Sequence, residues 1–206
     1  MDPAVRAALA DELLAALPAA CPGSSAALVG SLAAGTADAY SDIDMAWQVP
    51  ASDFARCVDG ARRTLGRVGP LLSLRSDPEH AGTPGHRLLF AAFRGLPLFW
   101  RLDLTIRADA GAQATVPAGS AADPWSPAAS ALANAVAVVK AVRRSRPDTA
   151  RGLLQRGLRR VGAEPVVTGV WRTDVARLVA AAVAAEPGQQ RLAAAVDALA
   201  AEWLPR

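Results

Sequence analysis

Two aspartates separated by one apolar residue, Asp42-Ile43-Asp44, lie in the first quarter of a chain of 206 residues. In an extended strand alternate side chains share a face, so both carboxylates point one way while Ile43 points to the core. Two adjacent carboxylates repel each other, and a divalent cation between them relieves that repulsion. Magnesium takes oxygen ligands and commonly bridges carboxylates to substrate phosphates. Upstream, Leu28-Val29-Gly30-Ser31 ends a short apolar run in a glycine and a hydroxyl. Glycine lets the backbone approach a ligand closely, and the Ser31 hydroxyl and nearby amides can donate to phosphate oxygens. A helix opening after Ser31 would add its positive end. A third acid falls within residues 98–106, whose composition reads as a strand. Trp100, Leu102, Leu104 and Ile106 would share one face; Phe99, Arg101, Asp103 and Thr105 would share the other. Asp103 is an acid in an apolar strand, its charge needs a partner, and a metal would be one.

The elements that must position these residues can be read around them. Residues 3–17 read as a helix capped by Asp2, with Pro3 in its first turn and Pro18 as its stop. Residues 26–29 and 43–49 fit strands, the second ended by Pro50. Helical spacing through Phe54, Val58, Ala61 and Leu65 covers 52–68. Residues 71–74 fit a short strand, and 76–85 form a loop rich in Asp, Pro, Gly and His. The segments 88–93 and 98–106 read as a hairpin around Arg94-Gly95-Leu96-Pro97. This order gives a small α/β domain with a mixed sheet over 1–107. Residues 108–127 are rich in Ala, Gly, Pro and Ser without periodicity and read as a linker. Helical patterns then fill 128–206, in runs of 128–146, about 148–161, 174–185 and 189–203. The expected fold class is α+β: a small mixed-sheet domain followed by a C-terminal helical bundle.

Bulk composition sets limits. Hydrophobic residues make up 52% and charged residues 20%, so the chain can bury a core and is not of the disordered class. The net charge of +3 is concentrated in Arg143, Arg144, Arg146, Arg151, Arg156, Arg159 and Arg160. That cluster could attract phosphate or could be a solvated helix face. Cys21 and Cys57 are too few for a disulfide framework or a zinc site and read as free buried thiols. His80 and His86 cannot form a metal site alone. No targeting segment and no membrane-spanning run stands out, so the expected location is cytoplasmic. Lys140 is the only lysine; every other basic residue besides the two histidines is arginine.

Gly30-Ser31, a spacer of about ten residues, Asp42-Ile43-Asp44 and the later Asp103 together resemble the signature of the nucleotidyltransferase superfamily of the polymerase-β type. The resemblance spans roughly residues 26–106, and the helical tail is similar to the C-terminal half of antibiotic (aminoglycoside-like) nucleotidyltransferases. It implies a nucleotidyltransferase α/β domain and a helical substrate-binding domain. Asp42 and Asp44 would bind the Mg2+ that grips a triphosphate, with Gly30 and Ser31 positioning the phosphates. Asp103 would help hold a second metal and could take the proton of an acceptor hydroxyl; general base and metal ligand only both stay open. Where many relatives carry arginines just after Gly-Ser, this chain has Leu32, Ala33 and Ala34. Lys140, on the first helix after the linker, is the residue implied to meet the triphosphate instead. Some antibiotic-modifying relatives place a catalytic glutamate one turn earlier, where Val136 stands, so the base role is assigned to Asp103.

The implied activity moves a nucleoside monophosphate, AMP from ATP first, to a hydroxyl of a small molecule such as an antibiotic. The arginine-rich tail counts against a cationic acceptor. Nucleic acid and membranes are not expected partners, and a monomer or homodimer is expected. The alternative of a different class is a minimal-nucleotidyltransferase-type antitoxin that binds and adenylylates a partner protein, against which the long tail counts. A non-catalytic binding module is a third reading, disfavoured by the three intact acids.

Overall fold

The computed structural model describes residues 1–80, 83–109 and 125–205, which divide into two compact units, Met1–Trp125 and Ser126–Arg206. Together they are α+β, a five-stranded mixed sheet followed by a helical region. Most of the expected linker, 108–127, lies outside the described residues.

In the first unit, α1 (Pro3–Ala20) begins as its sequence dictates, with the Asp2 carboxylate accepting from the Ala4 amide at 2.9 Å. It runs past Pro18, because a proline in the final turn removes a single internal hydrogen bond; Cys21 N then closes the helix on Pro18 O at 3.1 Å. Strand β1 (Ser25–Leu28) leads into the one-turn helix α2 (Gly30–Ala33), and β2 spans Ile43–Val49 as its alternation predicts. A 3-10 turn, Ala51–Asp53, precedes α3 (Phe54–Val68). Strands β3 (Leu71–Ser76) and β4 (His86–Phe93) are each two residues longer than the sequence suggests. His86 therefore belongs to a strand, with its ring 4.4 Å from that of His80.

The expected strand over 98–106 is corrected. Leu98–Trp100 is a 3-10 turn, and β5 covers Leu102–Ala108. Pro97, at φ −56°, directs the chain into the turn, and Leu98, Phe99 and Trp100 are all buried instead of alternating. The sheet order is β1-β2-β5-β4-β3, with β2 and β5 parallel and the other pairs antiparallel. Helices α1 and α3 pack against each other and against the sheet. Ile43, Met45, Trp47, Leu102, Leu104 and Ile106 form the buried face.

The second unit holds α4 (Pro127–Arg143), α5 (Pro147–Arg160), α6 (Trp171–Ala185) and α7 (Gln190–Trp203). Ser126 caps α4 through Ala129 N at 2.9 Å. That helix stops at Arg143, short of the expected residue 146, because Ser145 adopts φ 56° and Pro147 starts the next helix. Neither Asp148 nor Thr149 caps α5: the cap position is Arg146, and Asp148 instead lies in the first turn, where a negative charge favours the helix dipole. At Gly157 a Cβ would come within 2.7 Å of Leu178 Cδ2, so the glycine permits the close approach of α5 and α6. Asp174 was expected to open its helix, which instead starts at Trp171. The buried Asp174 carboxylate reaches back to accept from Thr168 N and Gly169 N, at 3.0 and 2.9 Å. No described helix is long and apolar enough to cross a membrane.

Candidate active site on the carboxylate face

The register of the two central strands sets the geometry. Asp44 on β2 pairs with Asp103 on β5, flanked by Ile43 with Leu102 and Met45 with Leu104. Register partners on neighbouring strands point to the same side, so the two carboxylates stand next to each other on the face opposite the core. Phe90 on β4 is the next partner of Asp103, and Arg75 on β3 is the partner of Phe90. A row of Asp44, Asp103, Phe90 and Arg75 therefore crosses four strands. Asp42 precedes the first paired residue of β2, where Ile43 N donates to Arg101 O at 2.9 Å.

Gly30 belongs to this site. Its φ is +64°, and a Cβ there would lie 2.5 Å from Asp44 Oδ2. A side chain would be strained by the backbone and would press on the carboxylate, so only glycine brings this turn against Asp44. Val29 N donates to Asp44 O at 2.9 Å and ties the turn to β2. Ser31 follows in the first turn of α2.

The loop before Asp42 is held from three sides. Arg6, buried on α1, donates from Nη1 to Asp38 O at 2.7 Å and Ser41 O at 3.1 Å. Trp100 Nε1 donates to Ala39 O at 3.1 Å, and the Asp38 carboxylate accepts from Ser41 Oγ and Tyr40 N. Tyr40 meets Phe99 edge to face, with ring centroids 5.2 Å apart. The buried 3-10 turn of 98–100 thus serves as a floor that fixes where Asp42 emerges.

Arg101 brings a positive charge to the acids of this face. Its Nε and Nη2 donate to Asp103 Oδ1 and Oδ2 at 2.6 and 2.7 Å, a bidentate pair. Burial works to lower its pKa, but the hydrogen bonds and charge of Asp103, with the charges of Asp42 and Asp44, outweigh that and hold it above the ordinary arginine value. The guanidinium carbon lies 4.7 Å from the Phe90 ring centroid, and that of Arg75 lies 4.1 Å from the same ring.

Gly30, Ser31, Asp42, Asp44 and Asp103 all belong to the first unit. Asp42, Asp44 and Asp103 are the residues that could hold magnesium, since carboxylate oxygens are the donors it takes, and Gly30 leaves the Asp44 oxygen free of a Cβ. Among the described residues no three His, Cys, Asp or Glu side chains are gathered closely enough to ligate a metal as they stand. Lys140 lies on α4 of the second unit and is 8% exposed. The arginine cluster there is partly spent internally: Arg160 Nη1 donates to Ser130 Oγ at 2.7 Å, and Arg143 lies over Trp203.

Sequence reasoning missed the parts played by Arg101, Arg6, Phe90 and Arg75. For Arg101 the signal was present, because alternation places residues 101 and 103 on one face at salt-bridge spacing. Arg6 gave none, since nothing in its helix foretells the distant carbonyls it binds. No protein-family model matches the chain, and no curated protein matches it significantly.

Proposed function

We propose that this chain is a magnesium-dependent nucleotidyltransferase that moves a nucleoside monophosphate, AMP from ATP first, to a hydroxyl of a small molecule, with an antibiotic as the first acceptor to try. The observation that carries this reading is the side-by-side placement of Asp44 and Asp103 on parallel strands, with Gly30 turned against Asp44. Asp42 and Asp44 would hold the metal, and Asp103 would join them as a ligand or take the acceptor proton. When bound, magnesium would supply charge neutralisation for the triphosphate. Gly30 and Ser31 would place the phosphates by backbone and hydroxyl contacts. The acceptor oxygen attacks the α-phosphorus, the bond to the bridging oxygen breaks, and pyrophosphate leaves in line. As a base, Asp103 must first part from Arg101, because a carboxylate held by two N–H donors is a poor proton acceptor.

Pyrophosphate release from ATP and magnesium, measured across a panel of hydroxyl-bearing acceptors, tests the reading. Acceptor-dependent release that Asp42→Asn abolishes is expected. Release that persists unchanged in that variant would sink the assignment.

A further inference from the structure

We propose that Arg101 is a built-in competitor for the metal, so that a divalent ion takes Asp103 as a ligand only by displacing this guanidinium. The inference rests on reading the carboxylates as a metal site. Both oxygens of Asp103 are engaged by Arg101, at 2.6 and 2.7 Å. Side-chain exposure is 28% for Arg101 and 19% for Asp103, so water screens the pair less than it would on the open surface. Asp42 and Asp44 also act on the same guanidinium by their charge. This guanidinium thus acts on the same acids that a metal would have to neutralise.

The arrangement also gives Arg101 somewhere to go. Its guanidinium already lies over Phe90, and a small rotation off Asp103 would leave that ring contact available. The planar fork that fits a carboxylate fits a phosphate equally well. A polyphosphate arriving on this face can draw Arg101 away from Asp103, and the released carboxylate then accepts the metal. Anion and metal would each strengthen the binding of the other through one side chain. Arg101 would in this way supply the phosphate charge that Leu32, Ala33 and Ala34 cannot.

Calorimetric titration of Mn2+ into the metal-free protein, with electron paramagnetic resonance reporting free Mn2+, tests this without any turnover. Arg101→Gln should tighten Mn2+ binding by about tenfold or more, the size expected from removing a charge-assisted hydrogen-bonded competitor. Arg75→Gln removes the same charge two strands away from Asp103 and should tighten binding by less than about threefold. Should Arg101→Gln not fold by circular dichroism, Arg101→Lys keeps the charge, loses the fork, and should still tighten binding several-fold. Unchanged or weaker binding in the folded Arg101 variant overturns the inference, as does equal tightening by Arg75→Gln. Those results leave the metal reading standing if the parent protein binds Mn2+. Absence of Mn2+ binding at millimolar concentration in parent and variant alike overturns both.

Discussion

On one face of the sheet, Ile43, Met45, Trp47, Leu102, Leu104 and Ile106 are exposed by 1% or less. On the other face the intervening residues of those strands include Asp44 and Asp103, with Arg101 just before β5 and Phe90 and Arg75 on the strands beyond. The two sets alternate along the same backbone, yet one is fixed by packing and the other by charge. The carboxylates need no buried compensation within the core, because the pleat sends them away from it. Their closeness instead depends on strand register, which the apolar face enforces: a slip by one residue would turn Leu104 outward and Asp103 into the core. Stability and chemistry are therefore separable by substitution on alternate residues.

The largest expected effect comes from the charged face. Asp44→Asn should reduce nucleotidyl transfer by roughly a hundred- to a thousandfold, the scale of losing one electrostatic contact to a transition state. Thermal unfolding should change little; collapse of the fold in that variant would erase the distinction between the faces. Leu104→Ala, one residue from Asp103, should do the reverse. It should cost about 2–5 kcal/mol in urea unfolding, with transfer by the remaining folded protein nearly normal. A loss below about 1 kcal/mol would mean that the buried face is not closely packed.

Gly30→Ala sharpens the comparison, since it touches both properties. The positive φ costs roughly 1–2 kcal/mol with a side chain present, and the new Cβ pushes on Asp44 Oδ2. Lower melting together with weaker Mn2+ binding is expected; an unaltered affinity would separate Gly30 from the carboxylates proposed to hold the metal. The smallest effect concerns Cys57, behind the buried face, whose thiol is pushed up to about 12 by burial and then by its hydrogen bond with Cys21. At pH 8 it stays protonated, so iodoacetamide should label it far more slowly in the folded protein than in urea. Equal rates would show that this side of the sheet opens readily.

The readable parts of the fold were those governed by local pattern. The alternation of 43–49 yields a strand with those bounds, and Asp2-Pro3 marks the start of α1. Leu98-Phe99-Trp100 misled because an aromatic run has strand composition, whereas its three buried rings and chains are held by tertiary contacts around a turn. Asp44 and Asp103 could be singled out as charges in apolar strands, and Asp42, which lies just before β2, by its spacing from Asp44. The register that sets Asp44 directly beside Asp103 could not, because the alignment of strands so far apart in sequence is decided by the whole sheet. Ser145 likewise gave no sign that it would leave the helix, as serine has no strong preference for a positive φ.

The parallel pairing of β2 with β5 carries a consequence for the order of assembly. Parallel neighbours require a crossover, and here it contains α3, β3 and β4. During synthesis Asp44 leaves the ribosome long before its partner, and the acid pair cannot exist until β5 has emerged. Such long-range closure is slow compared with the local contacts that build a helix pair such as α4 and α5. The nascent chain therefore carries β2 as an unpaired edge on one side, and the register that aligns the two aspartates is settled late. A pause in translation before residue 102 would lengthen the interval in which that edge can pair with another chain.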